Sequence, residues 1–360
     1  MRRAHALVTD ERRRVAIQPW PARRLDELAA EHYDAVLTSL GYEARSTAIA
    51  KALGSTPRGV AVGFPTQQEL AYGSNERWYR RHGYKVSERW EGEFPGLVRE
   101  LFADVASAGR ARIAVDVSSM ERPRIAAVVE LIAALPDDAD VQVDMLYAPG
   151  RYQPPRDLPS GALSLTCVSP YFTGQISTRA ENPVALVGLG YEPWKAAGAL
   201  LSLEVDHAIA FAPNGFDPRF YGAMQRANRG LLTGPHAPHV IDYQVADQAG
   251  CFSMLDGTIN AGRAQGSTPL LVPLGPKIFA ACACLAAAVH HPRVTVWRAS
   301  FLERQRASRQ SADGNVCGIT VWRTPTPPDR AQSDADACAI DRPGAVPHQP
   351  GDAASGSRAV

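Results

Sequence analysis

The sequence contains no apolar run near the roughly 20 residues that a membrane-spanning helix needs. No membrane association is expected. It has no excess charge of either sign: 38 Lys+Arg stand against 37 Asp+Glu, for a formal net charge of +1. That balance gives no support for non-specific nucleic-acid binding. It still leaves room for a small anion held by a few local cations. Cysteine is sparse, with six residues (Cys167, Cys251, Cys282, Cys284, Cys317 and Cys338) and no C-x-x-C pair. Cys282 and Cys284 lie in an alanine-rich run, where cysteine acts as a small hydrophobe. No metal site and no disulfide framework are expected. The N-terminus is basic but has no apolar signal core, so the chain reads as cytoplasmic.

Several motifs are also missing. G-x-x-x-x-G-K-[ST] and G-x-G-x-x-G do not occur, and LVGLGYEP has two glycines without the third. NAD or ATP binding through those loops is unsupported, and no cofactor is implied. H-E-x-x-H and G-x-S-x-G are absent as well. His82, His207, His236, His239, His290 and His291 are scattered and read as surface or loop residues rather than bases.

What the sequence does contain is a repeat. Residues 35–43 read AVLTSLGYE and residues 184–192 read VALVGLGYE, which places Gly41-Tyr42-Glu43 and Gly190-Tyr191-Glu192 149 positions apart. VDVSSMERPRIAAVVELIAALPDDADVQVDMLY (115–147) matches the segment around VPLGPKIFAACACLAAAVHHPRVTVW without a gap, at an offset of 153. That offset pairs Arg124 with Lys277 and Val141-Gln142-Val143 with Val294-Thr295-Val296. Between the blocks, RGVAVGFPTQQ and DHAIAFAPNGF each end in a proline-containing loop. An aromatic segment follows each, NERWYRR and DPRFYGAMQRAN.

Strand-like and helix-like segments alternate in both copies. This predicts an α/β protein of two tandem Rossmann-like parallel-sheet domains related by internal duplication. The first copy, with an N-terminal extension, takes residues 1–150. A connector follows at 151–183, the second copy takes 184–302, and a mostly disordered tail runs over 303–360. RLDELAAEHY (24–33) reads as a helix entering the first copy. VCGITVW (316–322) could add one strand, with disorder beyond Pro325, where too little apolar surface offsets ordering entropy.

Ligands of open α/β sheets bind at the carboxyl ends of strands, near a switch in strand order. Both repeated motifs stand at such ends. Gly41 and Gly190 permit a tight turn or close backbone approach, and the following helix start favours an anion. Glu43 and Glu192 either stabilise a helix start or accept from ribose hydroxyls. Arg45 and Lys195 stand near them. Asp116, Ser118 and Ser119 occupy the second junction of the first copy, followed by Arg122 and Arg124. Gly275 and Lys277 hold the matching place in the second. A cation at a helix start opposes the dipole unless an anion offsets it. Arg124 and Lys277 are therefore candidate partners of a phosphate or carboxylate. Trp78-Tyr79 with Arg77, Arg80 and Arg81 reads either as a base-stacking platform or, more plainly, as an amphipathic helix.

SLGYEARS (39–46), GLGYEPWK (188–195), DVSSMERPR (116–124) and VPLGPK (272–277) together resemble the two ligand loops of CARF-type sensor domains. The resemblance covers roughly residues 34–300. It implies a Rossmann-like sensor of cyclic oligonucleotides in prokaryotic defence, with the internal duplication standing in for the usual domain pair. No effector nuclease motif is visible, unlike many members. The expected partner is a nucleotide or other phosphorylated small molecule bound between the copies, with a protein partner also conceivable. Two alternatives stay open. One is an enzyme on nucleotides or phosphorylated substrates, with Asp116 and Glu43 as acid and base. The other is a structural subunit of a larger complex.

Overall fold

Each repeated block folds into its own sheet, and the two sheets share one strand order. The computed structural model describes residues 15–107, 109–136, 139–155, 162–174, 182–302 and 307–323. They lie in one compact unit of residues 1–325. The expectation of disorder beyond Pro325 falls outside the described residues.

The first half runs β1 (Val15–Arg24), β2 (Ala35–Ser39), α1 (Ala48–Leu53), β3 (Gly59–Gly63), α2 (Tyr72–Arg81), β4 (Lys85–Glu88), α3 (Phe94–Ala106), β5 (Ala111–Asp116), α4 (Arg122–Ala133) and β6 (Val141–Tyr147). The second half runs β7 (Leu163–Cys167), β8 (Pro183–Gly188), α5 (Lys195–Ser202), β9 (His207–Asn214), α6 (Arg219–Ala227), α7 (Arg229–Leu232), β10 (His239–Gln244), α8 (Gln248–Ala264), β11 (Thr268–Pro273), α9 (Lys277–Val289) and β12 (Thr295–Phe301). A last strand, β13 (Asn315–Arg323), follows.

The first sheet has the order β1-β13-β6-β5-β2-β3-β4, and the second β10-β9-β8-β11-β12-β7. In each, five parallel strands run third, second, first, fourth, fifth in chain order. This is the doubly wound, Rossmann-like order, present twice. Both β2 and β3 are buried along their whole length. Parallel strands covered on both faces need such unbroken apolar runs.

Both sheets are mixed rather than purely parallel. β13 pairs antiparallel with β6 and with β1, and β7 pairs antiparallel with β12. The chain thus returns from the second half to complete the first sheet. β1 has no counterpart in the sequence expectations, because Pro19 and Pro21 argue against a central strand. It is an edge strand, where a missing N–H is tolerated. The helix expected over 24–33 is a 3-10 segment, Leu25–Ala30, whose buried residue is Leu28 alone. One anchor is too little to support an apolar helical stripe.

Three apolar clusters form the core. The largest joins α3, α4, α8 and α9 with the facing sides of both sheets. The others cover the outer faces, under α1 and α2 in the first half and under α5 and α6 in the second. Every residue of α9 from Ile278 to Ala287 is buried. A helix apolar on all sides belongs inside a protein. Its Ala and Cys side chains are short enough to let α4 and both sheets approach. This packing fixes the starts of α4 and α9 against each other.

Candidate functional site

Successive connections leave β2 toward β3 and β5 toward β6, on opposite sides of the first sheet. The loops after β2 and β5 therefore diverge and leave a crevice at the carboxyl ends, as open α/β sheets do. Gly41 makes the approach of those loops feasible, since a Cβ there would lie 3.3 Å from Ser119 Cβ. The crevice has a volume of about 110 Å³. That is below the ≈ 300–1,000 Å³ of sites that enclose a drug-sized ligand, and it suits one anionic group. Ser39, Gly41, Tyr42, Glu43, Arg45, Ser118 and Ser119 line it, joined by Phe64, Thr66, Gln67, Tyr72 and Glu121. Lys277 also lines it, reaching in from the second half.

The loop after β2 is held from several sides. Ser46 Oγ accepts from the Gly41 N–H at 3.0 Å and donates to the Ser39 carbonyl at 2.6 Å. Asn75 Nδ2 donates to the carbonyls of Gly41 and Glu43, both at 2.9 Å. Arg45 Nε donates to Glu43 Oε2 at 2.7 Å, and Arg45 Nη1 to the Ala148 carbonyl at 3.2 Å. Burial disfavours the Arg45 charge, but Glu43 and Tyr147 outweigh it and hold its pKa above the usual arginine value. Ser119 Oγ donates weakly to Glu43 Oε2 at 3.4 Å. Glu43 is thus a carboxylate already engaged by its own half.

Asp116 lies beneath the crevice and does not line it. It is 2% exposed, and Oδ1 accepts from the Ser118 N–H at 2.9 Å. Burial raises its carboxyl to about 6, against the opposing pull of the Ser118 bonds and Arg45. Ser118 Oγ meanwhile accepts from the Ala148 N–H at 2.8 Å. Asp116 and Ser118 brace the junction; Ser119 and Lys277 present groups to the opening.

The two helix starts exchange cations. Arg122, from the first half, donates through Nε to the Pro273 carbonyl and through Nη2 to the Gly275 carbonyl at 3.2 Å. Lys277, from the second half, points the other way, into the first crevice. Arg122 is therefore satisfied by protein. Among the described residues, Lys277 Nζ makes no hydrogen bond or ion pair. Burial lowers the Lys277 ammonium to about 7, and Arg122 adds to that, while Glu121 and Glu43 oppose it. Its place at the start of α9 adds the unfavourable dipole.

The corresponding junction of the second half is closed. The ladders locate the reason. Leu37 pairs with Val115, and its repeat equivalent Leu186 pairs with Leu271, 156 rather than 153 positions further on. The match across this block therefore needs a gap: residues 117–121 connect β5 to α4, but only 274–276 connect β11 to α9. Ser118 and Ser119 have no counterpart. The shorter loop brings Gly275 so near Gly190 that a Cβ on Gly190 would lie 3.1 Å from Gly275 N. Gly275 has φ +70°, and a Cβ on it would lie 2.3 Å from the Leu189 carbonyl. Burial raises the Glu192 carboxyl, but Lys195 at 2.8 Å, Arg122 and Lys277 outweigh it and hold it below the usual range. Tyr191 is 38% exposed, its ring tilted against Phe220 at 5.6 Å.

Arg124 is corrected from a ligand cation to a structural one. It is 1% exposed and donates to the carbonyls of Val62, Gly63 and Arg89 at 2.9, 2.9 and 2.6 Å. Its guanidinium lies 3.5 Å from the Phe64 ring centroid and 5.0 Å from that of Phe94. Both terminal nitrogens are taken by backbone carbonyls and Nε is buried, so the group is closed off from the crevice. The aromatic helix is not a stacking platform either. Tyr79 is fully buried, its hydroxyl donating to the Ser46 carbonyl, and Trp78 stacks on His82 at 4.1 Å. His290 is buried, with Nε2 2.7 Å from Asp256 Oδ1, a tie between α8 and α9 rather than a loop histidine. Among the described residues no group of three His, Cys, Asp or Glu converges to hold a metal. Nor is any described helix long and apolar enough to cross a membrane.

Glu121 was readable as part of SSMERPR but was not singled out. Asn75 and Asn228 were also missed. They stand 153 positions apart, and each donates to the loop glycine of its half, Asn228 to the Gly190 carbonyl at 2.7 Å. Their common offset was the available signal. Phe64, Thr66 and Gln67 carried none beyond following a strand. The molecule is an α/β protein of two Rossmann-like halves, with an open switch-point crevice in the first. No protein-family model matches the chain, and no curated protein matches it either.

Proposed function

We propose that the chain is a ligand-binding protein of the sensor type, which takes a nucleotide or another phosphorylated ligand where its two halves meet. One observation carries this reading: Lys277 brings a cation without a partner among the described residues into a crevice sized for one anionic group. An anion there would relieve the burial cost that Lys277 bears. Ser119 adds a hydroxyl, and the remainder of the ligand lies outside, over the loops of both halves. Because Arg122 fills the second junction, the chain takes one such group rather than a pseudo-symmetric pair. This favours an asymmetric ligand over a two-fold one.

The CARF resemblance of the loops adds a role in prokaryotic defence to the proposal, and the shared order of both sheets agrees with it. The enzymatic alternative through Asp116 gains little, because that carboxyl is sealed beneath Ser118. Calorimetric titration with inorganic phosphate and with linear and cyclic oligonucleotides tests the reading. Lys277→Ala should weaken binding about tenfold or more, the loss of one charge-assisted contact. Lys195→Ala, whose partner is Glu192, should leave it within about threefold. Equal loss in both variants would refute the assignment.

A further inference from the structure

The chain spends lysine sparingly. It has four, at positions 51, 85, 195 and 277, among 38 basic residues. Elsewhere among the described residues the buried cations are Arg45, Arg124 and Lys195, the last of them paired with Glu192. An arginine stays protonated in proteins, whereas a lysine can lose its proton and become a nucleophile. The repeat makes the contrast sharp: the position equivalent to Arg124 is Lys277. Lys195 bonds Glu192, and Lys51 lies 5.5 Å from the Trp78 ring centroid. Lys85 is exposed on the edge strand β4. Lys277 ends in a cavity.

We propose that Lys277 is a nucleophilic amine that condenses reversibly with the carbonyl group of a small anionic aldehyde or keto acid in the first-half crevice. The proposal rests on the reading that this crevice admits an anion. The geometry behind it is a cavity of about 110 Å³, an amine with no hydrogen bond among the described residues, and charged groups around it. Arg122 and Arg45 face the amine as cations, and Glu121, Glu43 and Glu192 as carboxylates. A desolvated lysine beside another cation is a known way to make an amine reactive. Burial and then Arg122 lower the Lys277 ammonium to about 7, which raises its share of free amine at pH 7 well above that of an ordinary lysine. An ordinary lysine near pKa 10.4 is less than about one part in a thousand free.

The step balances without oxidant or reductant. The Nζ lone pair attacks the carbonyl carbon and forms a C–N bond, while the carbonyl π pair moves to oxygen. Nitrogen gives up a proton and oxygen gains one, leaving a carbinolamine. Its hydroxyl takes a second proton and departs as water as the C=N bond forms, and the iminium nitrogen then gives up its remaining proton, which cancels the one taken up. Amine plus carbonyl thus give imine plus water. Glu43 and Glu121, which line the crevice, are placed to pass the protons. The ligand's carboxylate or phosphate lies by Arg45 and Ser119. The size of the cavity restricts the reacting end to a few carbons.

The test treats the full chain at pH 7 with glyoxylate, and separately with pyruvate, in the presence of cyanoborohydride. Peptide mass mapping then locates adducts among the four lysines and the N-terminus. The expected result is an adduct at Lys277 at about ten times or more its level at Lys51 or Lys85, diminished by excess inorganic phosphate. Lys277→Arg should remove that adduct, because a guanidinium stays protonated and is no nucleophile. Adducts on Lys51 and Lys85 with none on Lys277, in a protein whose phosphate binding still depends on Lys277, would overturn the amine proposal and leave the anion site standing. A Lys277 adduct unaffected by phosphate, in a chain that binds no phosphate, would keep the amine and remove the phosphate reading. Neither adduct nor phosphate binding would remove both.

Discussion

Replacing Lys277 by methionine should make the protein more stable at pH 6, and the gain should fade as pH rises. Methionine keeps the length of the buried stem and discards the charge. In the folded chain the ammonium is lowered from 10.5 to about 7. Between those values the unfolded chain binds more protons than the folded one, so stability rises with pH across this window. Below about 7 the lysine is charged in both states and its full cost is present. Above 10.5 it is neutral in both and costs nothing. At about 1.36 kcal/mol per unit, the shift sets a ceiling near 5 kcal/mol. Lys277 is only half-buried, and relaxation and water entry reduce such penalties, so about 1–2 kcal/mol is the working expectation. Urea denaturation of wild type and Lys277→Met at pH 6 to 9.5 measures it. A stability difference that stays flat across this range would refute the claim that a half-buried, unpaired ammonium sits in the crevice. Added phosphate should shrink the difference at pH 6 by binding the wild type alone.

Three other perturbations have defined outcomes. Arg124→Met should cost about 3 kcal/mol or more, since three buried carbonyls lose their donor; a loss under about 1 kcal/mol in urea denaturation would contradict its structural role. Asp116→Asn should flatten stability between pH 4 and 6, because a carboxyl raised to about 6 makes the folded state the better proton binder there, so wild-type stability falls as pH rises through that window. Gly275→Ala should destabilise by about 2 kcal/mol or more, through its positive φ and the clash with the Leu189 carbonyl; an unchanged denaturation midpoint would argue against the closed second junction.

Much of the fold was legible because its causes are local and repeated. AVLTS and VALVG read as strands on their apolar, β-rich character, and the recurrence of GYE exposed the duplication. β13 was legible only as an isolated strand. Its place between β1 and β6 depends on partners hundreds of residues away, which no local pattern records. β1 was hidden by Pro19 and Pro21, residues that an edge strand tolerates.

The site was legible in its place rather than in its partners. Gly41, Glu43, Arg45, Ser119 and Lys277 converge, but on one crevice instead of two. Nothing in SSMERPR or LGPK says that Arg124 turns inward to three carbonyls while Lys277 crosses to the other half. That difference follows from a shorter loop in the second half and from the packing of α4 against α9. An ungapped match of the repeats concealed both.

The proposed anion site is one per chain and depends on Lys277. Isothermal titration of wild type and Lys277→Gln with inorganic phosphate at pH 6.5, where the ammonium is mostly charged, tests this most directly. The prediction is one phosphate per chain and an affinity reduced about tenfold or more in the variant. Two equivalent phosphates per chain, or an affinity unmoved by Lys277→Gln, would contradict it.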